Sequence, residues 1–314
     1  MKIKEQAPIF FEQIQTRQRH SVKPATLAAY RGALNNWIVP SLGEQDMETF
    51  GNGALKAFVH KLVVLRKSPA TIQQIVMIVK ALVASAVTPD GDPLYPKTWN
   101  SYFLDIPDIG VQRSPTLTPE QLRASLRSKY AALYAFLAGT GLRIGEALAV
   151  RYGEDGVHTA YDPENAVVRV RTQLWRGKEG TTKTEAGVRE VDLDPRLNAL
   201  LRGIISFPVT PGRYHLFHNF GGTVWESSLR TYSLKPLGIP GFHTFRRFRI
   251  THLRKAGVPE QLIKYWVGHA YKADITDLYS HIDEDKEFTK SWAVRAGLGF
   301  ELPEIEDLDA ATKA

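Results

Sequence analysis

Thr140-Gly141-Leu142-Arg143-Ile144-Gly145-Glu146-Ala147-Leu148 is the stretch that decides how the larger part of this 314-residue chain folds. A glycine turn leads into a short helix and sets Arg143 among its first residues, where a guanidinium can point into a cleft. Upstream, the run from Ala131 to Gly139 is strongly apolar and predicts a helix. Downstream the period changes. Ala166-Val167-Val168-Arg169-Val170-Arg171-Thr172 alternates as a strand does, and Val188-Arg189-Glu190-Val191-Asp192-Leu193 alternates again. Between them Gly177-Lys178-Glu179-Gly180 is a turn signal, so the pair predicts a β-hairpin or small sheet. From Thr244 to about Trp266 the pattern is helical again, broken at Gly257. Thr118-Pro119-Glu120-Gln121 opens this half with an N-cap pattern. The expectation is a mixed α+β domain over residues 117–300.

The first third reads as helices alone. Pro24-Ala25-Thr26 opens an apolar-periodic run through Leu27, Tyr30, Leu34, Trp37 and Ile38, and Pro40 is expected to close it. A second run places Leu55, Phe58, Val59, Leu62 and Val63 on one face. A third starts at Ser68-Pro69, an N-cap followed by proline in the first turn, and carries Ile72, Ile75, Val76, Val79, Leu82 and Val83. Breakers then accumulate from Thr88 to Pro93, with prolines at 96, 107 and 115. The fold expected is mainly helical α+β: a helical domain over 1–105, a linker over 106–116, the mixed domain over 117–300, and a tail over 301–314. That tail carries Glu301, Glu304, Glu306, Asp307 and Asp309 against Lys313, and is expected to be flexible.

Composition bounds the function. The net charge of +7 favours an anionic partner, of which nucleic acid is the commonest. The absence of cysteine excludes disulfides, thiolate zinc sites and a thiol nucleophile, and fits a cytoplasmic residence. No run approaches the roughly 20 apolar residues of a membrane span, and Met1-Lys2-Ile3-Lys4-Glu5-Gln6 lacks the apolar core of a signal peptide. No membrane partner is expected.

Five local features carry chemistry. Arg143 opens its short helix. Lys183 stands beside the hairpin turn in Thr182-Lys183-Thr184, followed by Arg189. His243-Thr244-Phe245-Arg246 sets an imidazole and a guanidinium one helical turn apart on one face. Gly268-His269 follows an apolar helix, and Tyr279 lies ten residues further on in Asp277-Leu278-Tyr279-Ser280-His281. Taken singly, each has an ordinary explanation: a salt-bridged arginine, a solvated lysine, a helix-capping pair, a satisfied histidine and one tyrosine among twelve.

Their order is what matters. Arginine, hairpin lysine, His-x-x-Arg, Gly-His and then tyrosine closely resembles the active-site series of the tyrosine recombinases, the phage integrase family. The string Thr-Gly-Leu-Arg-Ile-x-Glu-x-Leu, and the Gly-His followed by Tyr-Ser-His, belong to the same resemblance. The helical first third is similar to that family's core-binding domain. Two departures stand out. Arg247 follows Arg246 where the family usually has histidine, and the gap from His269 to Tyr279 is one residue longer than is common.

The resemblance implies a site-specific recombinase or integrase that cleaves and rejoins double-stranded DNA through a 3′-phosphotyrosyl intermediate. Its catalytic set would be Arg143, Lys183, His243, Arg246, His269 and the nucleophile Tyr279. No metal or other cofactor is expected, because the arginines supply the charge a hard cation would otherwise bring. Glu146 is expected to position an active-site partner. Lys23, Arg31 and Lys80 are candidate DNA contacts in the helical domain, with solvated helix charges as the ordinary explanation. The family's reaction implies a tetramer on two DNA sites. A type IB topoisomerase-like strand-passing enzyme and a catalytically silent DNA-binding protein are the alternatives. Phe288, Trp292, Val294 and Leu298 form a sparse apolar stripe after Tyr279. It either covers its own domain or passes Trp292 and Leu298 to a neighbouring protomer.

Overall fold

The computed structural model describes residues 1–110, 114–153, 156–182, 184–205, 215–219, 222–269 and 284–303. The sequence-predicted Lys183 and Tyr279, and most of the acidic tail, lie outside the described residues. The chain divides into two compact units, Met1–Arg113 and Ser114–Ala314.

The first unit is built from helices. α1 (Ile3–Thr16), α2 (Pro24–Ala33), α3 (Val39–Leu42), α4 (Asn52–Val64), α5 (Pro69–Ala84) and the single turn α6 (Ser101–Leu104) surround one apolar core. Ile3, Ile38, Met47, Phe50, Leu55, Leu62, Ile72, Ile78 and Leu82 sit in it with almost no exposed surface. Ser68 caps α5 by accepting from the Thr71 amide at 3.2 Å, and Pro69 fills the first helical position. Six of the apolar residues expected on α5 are buried: Ile72, Ile75, Val76, Val79, Leu82 and Val83.

Two expectations for this unit need correction. Pro40 does not end its helix. A π-turn over Leu34–Ile38 joins α2 to α3, and Val39 donates to the Leu34 carbonyl five residues back. The widened turn accommodates Pro40, whose ring would clash with the carbonyl four residues back in a regular α-turn. Val63 is 43% exposed, one position off the buried stripe of Leu55, Phe58, Val59 and Leu62. The sequence reading did not include α1, although its buried Ile3, Ala7 and Phe10 recur at helical spacing.

The second unit is the mixed α+β one. α7 (Pro119–Ser125) opens with a capping box in which Thr118 and Gln121 satisfy each other's backbone amides. α8 (Ala131–Thr140) is apolar on every side, and everything from Leu133 to Thr140 is buried, so it runs through the middle of the core. α9 (Ile144–Leu148) follows the turn at Gly141. A four-stranded sheet comes next, in the order β1 (Arg151–Tyr152), β2 (Ala160–Asp162), β3 (Val167–Val170), β6 (Arg189–Asp192). The two alternating runs of the sequence do pair, β3 antiparallel to β6 with Val167 opposite Asp192. They are not joined by one tight turn, however. A separate hairpin of β4 (Thr172–Trp175) and β5 (Lys178–Thr181) is inserted between them, and its turn falls at Arg176 and Gly177, both at positive φ. Lys178 to Gly180 are therefore strand residues and not turn residues.

α10 (Pro195–Ile205), the two-residue strands β7 (His218–Asn219) and β8 (Gly222–Thr223), and α11 (Glu226–Leu229) lead to α12 (His243–Lys255) and α13 (Glu260–Val267). Gly257, at φ +75°, makes the break expected between the last two. α12 lies along α8, with Phe245 stacked on Tyr134 at 5.3 Å. The helix α14 (Lys286–Ala296) returns to the same core.

The apolar stripe can be followed through α14 and the segment after it. Leu298 has no exposed surface and belongs to the core of its own unit. A methyl group built on Gly139 would lie 2.7 Å from Leu197 and 3.1 Å from Leu298, so α8 is clamped between α10 and this segment. Trp292 covers the same core, while Val294 is 59% exposed. Arg249 donates to the Gly297 carbonyl at 2.6 Å, and the His252 ring nitrogen meets the Ala296 carbonyl at 2.8 Å. In this structure the stripe packs within its own chain.

Candidate active site

Three chain reversals meet at one point of the second unit. The first is the end of α8. Gly141 adopts φ +71°, and a methyl group there would press on the Arg249 side chain at 3.3 Å. Arg143 then caps α9, and Glu146 accepts from the Arg143 backbone amide at 3.0 Å. The second is the N-terminus of α12, which carries His243 and Arg246. The third is the C-cap of α13, Gly268 at φ +61°, followed by His269.

Hydrogen bonds tie the three together. Arg246 is 4% exposed and donates to the carbonyl of Gly141 at 3.0 Å and to that of Val267. Arg143 donates to the Gly268 carbonyl at 3.2 Å and to Glu146 Oε1 at 2.8 Å. The two arginines are thus aimed by backbone carbonyls from the neighbouring turns. His243 and His269 stand at the exposed rim of the same cluster.

The electrostatics follow from this convergence. Burial, with the Arg143 charge second, pushes the Arg246 guanidinium down to about 9. Burial and then Arg246 hold both imidazoles below their ordinary value; Arg247 and Arg143 add to this at His243, and Arg143 and Arg189 at His269. Burial alone would raise the Glu146 carboxyl, but Arg189 and then Arg143 outweigh it and hold it below the usual carboxylate range. The cluster has more positive charge than Glu146 can balance. An anion lying against Arg143 and Arg246 would relieve it. Among the described residues, no three His, Asp or Glu side chains are grouped as metal ligands.

Of the six residues expected to carry chemistry, the structure brings Arg143, His243, Arg246 and His269 together. Lys183 and Tyr279 lie outside the described residues. Of the candidate contacts in the first unit, Arg31 covers the Phe11 ring at 4.6 Å, Lys80 lies 5.9 Å from the Trp99 centroid, and Lys23 precedes α2. Arg247 donates to the Pro115 carbonyl at 3.0 Å.

Sequence reasoning gave no role to Arg189. Its side chain has no exposed surface and it bonds Glu146 at 2.9 Å. A signal for its burial was available: Arg189 shares strand parity with Val191, which puts it on the buried face of β6, and a buried guanidinium needs acceptors to satisfy it.

No protein-family profile matches the sequence, and no curated protein matches it. Solved structures do. A Tn1549 transposon integrase in complex with a circular intermediate DNA is 18% identical over 100% of this chain and 99% of that one, with a TM-score of 0.66. A lambda integrase dimer bound to a COC′ core site is 14% identical over 97% and 100% of the two chains, with a TM-score of 0.62. A lambda integrase tetramer bound to a Holliday junction is 13% identical over 87% and 79%, with a TM-score of 0.60. This chain shares the mainly helical α+β fold of these integrases.

Proposed function

We propose that the chain is a site-specific DNA recombinase or integrase that cleaves and rejoins strands through a 3′-phosphotyrosyl intermediate. The observation that carries this reading is the convergence of Arg143 and Arg246, backbone-aimed and short of negative charge, with two imidazoles at the rim. A scissile phosphodiester is the anion that such a pair accommodates. Each guanidinium donates to a non-bridging oxygen and gains as charge accumulates in the transition state.

Forming tyrosinate at pH 7 from a group of ordinary pKa 10 costs about 4 kcal/mol, which the adjacent cations offset. In the reaction proposed, the Tyr279 hydroxyl oxygen bonds to phosphorus, its proton passes to an imidazole, and the bond from phosphorus to the 5′-oxygen breaks. His243 is the acceptor carried over from the family resemblance, and its lowered pKa suits it to stay neutral until it takes the proton. Lys183 supplies the proton to the departing 5′-oxygen. The phosphotyrosyl ester keeps the bond energy for rejoining, so neither nucleotide nor metal is required.

The whole-length likeness to integrases solved on DNA supports recombination over type IB topoisomerase-like strand passing. Double-stranded DNA is then the partner, and four protomers on two sites the working assembly, in keeping with the lambda integrase tetramer on a Holliday junction. The cytoplasm is the proposed compartment; among the described residues no helix is long and apolar enough to cross a membrane.

The test is a denaturing gel with labelled DNA carrying the recognition site. Wild-type protein should form a covalent adduct in excess EDTA without nucleotide. Tyr279→Phe should abolish the adduct and leave DNA binding intact. An adduct that survives in Tyr279→Phe assigns the nucleophile elsewhere, and loss of all cleavage on chelation would sink the metal-free mechanism.

A further inference from the structure

Arg189 is the only described arginine whose side chain is entirely buried in an ion pair. Its guanidinium joins two distant pieces of chain to the turn two residues before it. Nη2 bonds Glu146 Oε2 at 2.9 Å, and Nη1 reaches Glu146 Oε1 at 3.4 Å. Nε donates to the Trp266 carbonyl at 2.7 Å, and Nη1 donates to the Gly187 carbonyl at 2.8 Å. These partners belong to the Arg143 turn, to the turn that presents His269, and to the loop that follows Lys183 in sequence.

Two glycines make the close approaches possible. A methyl group on Gly268 would lie 2.8 Å from Arg189 Nη1 and 2.9 Å from its Cζ. One on Gly187 would lie 2.5 Å from the Thr182 side chain, so the two ends of the loop that contains Lys183 are pressed together. The carbonyl of Gly187, at one of those ends, is the one Arg189 holds. Glu146, for its part, is shared between Arg189 and Arg143. Without Arg189 its buried carboxylate would have Arg143 as its only ion-pair partner among the described residues. It would then compete with a phosphate for that guanidinium.

We infer that Arg189 is a positioning residue for the reaction: it neutralises Glu146, so that Arg143 stays available to substrate, and it locks the 182–187 loop and the 266–269 turn in register. The inference rests on the function proposed above. It differs from a purely structural role, because the damage from losing Arg189 should be partly undone by removing the Glu146 charge as well.

Two measurements decide it. Hydrogen exchange on the full-length protein without DNA reads the lock independently of any chemistry. In Arg189→Gln, exchange should rise together in the 182–188 and 264–269 segments while α8 keeps its wild-type protection. A rise in neither segment, or in only one, overturns the lock. Should Arg189→Gln fail to fold, Arg189→Lys serves in its place, since it keeps a charge opposite Glu146 but cannot reach three partners, and the same paired rise is expected.

Single-turnover cleavage on saturating DNA reads the consequence. Arg189→Gln should cleave about 100-fold slower with unchanged half-site affinity, the pattern of a loss felt in the transition state and not in binding. Glu146→Gln/Arg189→Gln should recover about tenfold of that loss. A double variant no faster than Arg189→Gln, or an Arg189→Gln protein that cleaves at the wild-type rate, overturns the charge-balancing role. If wild-type protein forms no adduct, the recombinase proposal falls, while the exchange result still decides whether Arg189 holds the three segments.

Discussion

Leu298→Ala tests whether the segment beyond α14 is held by its own chain in solution. The side chain is fully buried, and it touches the backbone of α8 where Gly139 leaves room for it. Truncating a leucine in such a place removes transfer free energy and leaves a cavity, together worth about 3 kcal/mol within a usual span of roughly 2–5. In a unit of about 200 residues each kcal/mol moves the melting point by about 2–4 °C, so the variant should melt about 6–12 °C lower. The assay is a thermal melt of dilute protein without DNA, followed by near-ultraviolet circular dichroism. Val294→Ala is the internal control: it lies on α14, four residues before Leu298, but is 59% exposed, and should cost no more than about 0.5 kcal/mol. A Leu298→Ala protein that melts within 2 °C of wild type, a margin well inside the shift expected from that cavity, would refute packing in cis. A loss of stability that appears only at high protein concentration would point to a neighbouring protomer as its partner.

Three further outcomes follow from the site. Lys183→Ala should cripple cleavage of ordinary DNA and be rescued by sulfur at the 5′-bridging position, since a thiolate leaves without a proton; equal slowness on both substrates would give Lys183 a binding or structural role instead. His243 and His269 are both held below the ordinary imidazole value, so both are neutral at pH 7. With DNA limiting, the acid limb of the adduct rate should have its midpoint below about pH 6.5, and a midpoint above that value contradicts the direction of the shifts. Gly268→Ala combines a left-handed backbone with a methyl group against Arg189, a cost of about 2–4 kcal/mol. Its cleavage rate should fall far more than its DNA affinity, and equal losses in both would mean that the turn serves binding alone.

What the sequence revealed was mostly local. Ser68-Pro69 and Thr118-Pro119 announce helix starts through bonds that close within three residues, and α8 declares itself by having no polar side at all. Pro40 misled because a π-turn is set by backbone bonding that no residue type specifies. The hairpin was read one register too far, since Lys178-Glu179-Gly180 has turn composition but pairs as a strand. Arg143, His243, Arg246 and His269 were legible as a series because of their order along the chain. The burial of Arg189 was open to strand parity, but its partner Glu146, 43 residues away, was not, because a buried ion pair leaves no local pattern that names the partner. Leu298 was ambiguous for the same reason: its partner Gly139 is remote in sequence, and a sparse stripe does not say which chain it covers.

The clamp on α8 also has a consequence for how the protein is made. The first unit is one contiguous N-terminal stretch, so its helices can associate while the rest is still being synthesised. The second unit has no such liberty. The helix that ends at the Arg143 turn is covered on one flank by Leu298, a residue translated some 155 positions later. A nascent chain that still lacks Leu298 therefore leaves that flank of α8 uncovered. The core around α8 closes only after that late residue has emerged, whereas the bonds that aim Arg143 and Arg246 come from residues made earlier.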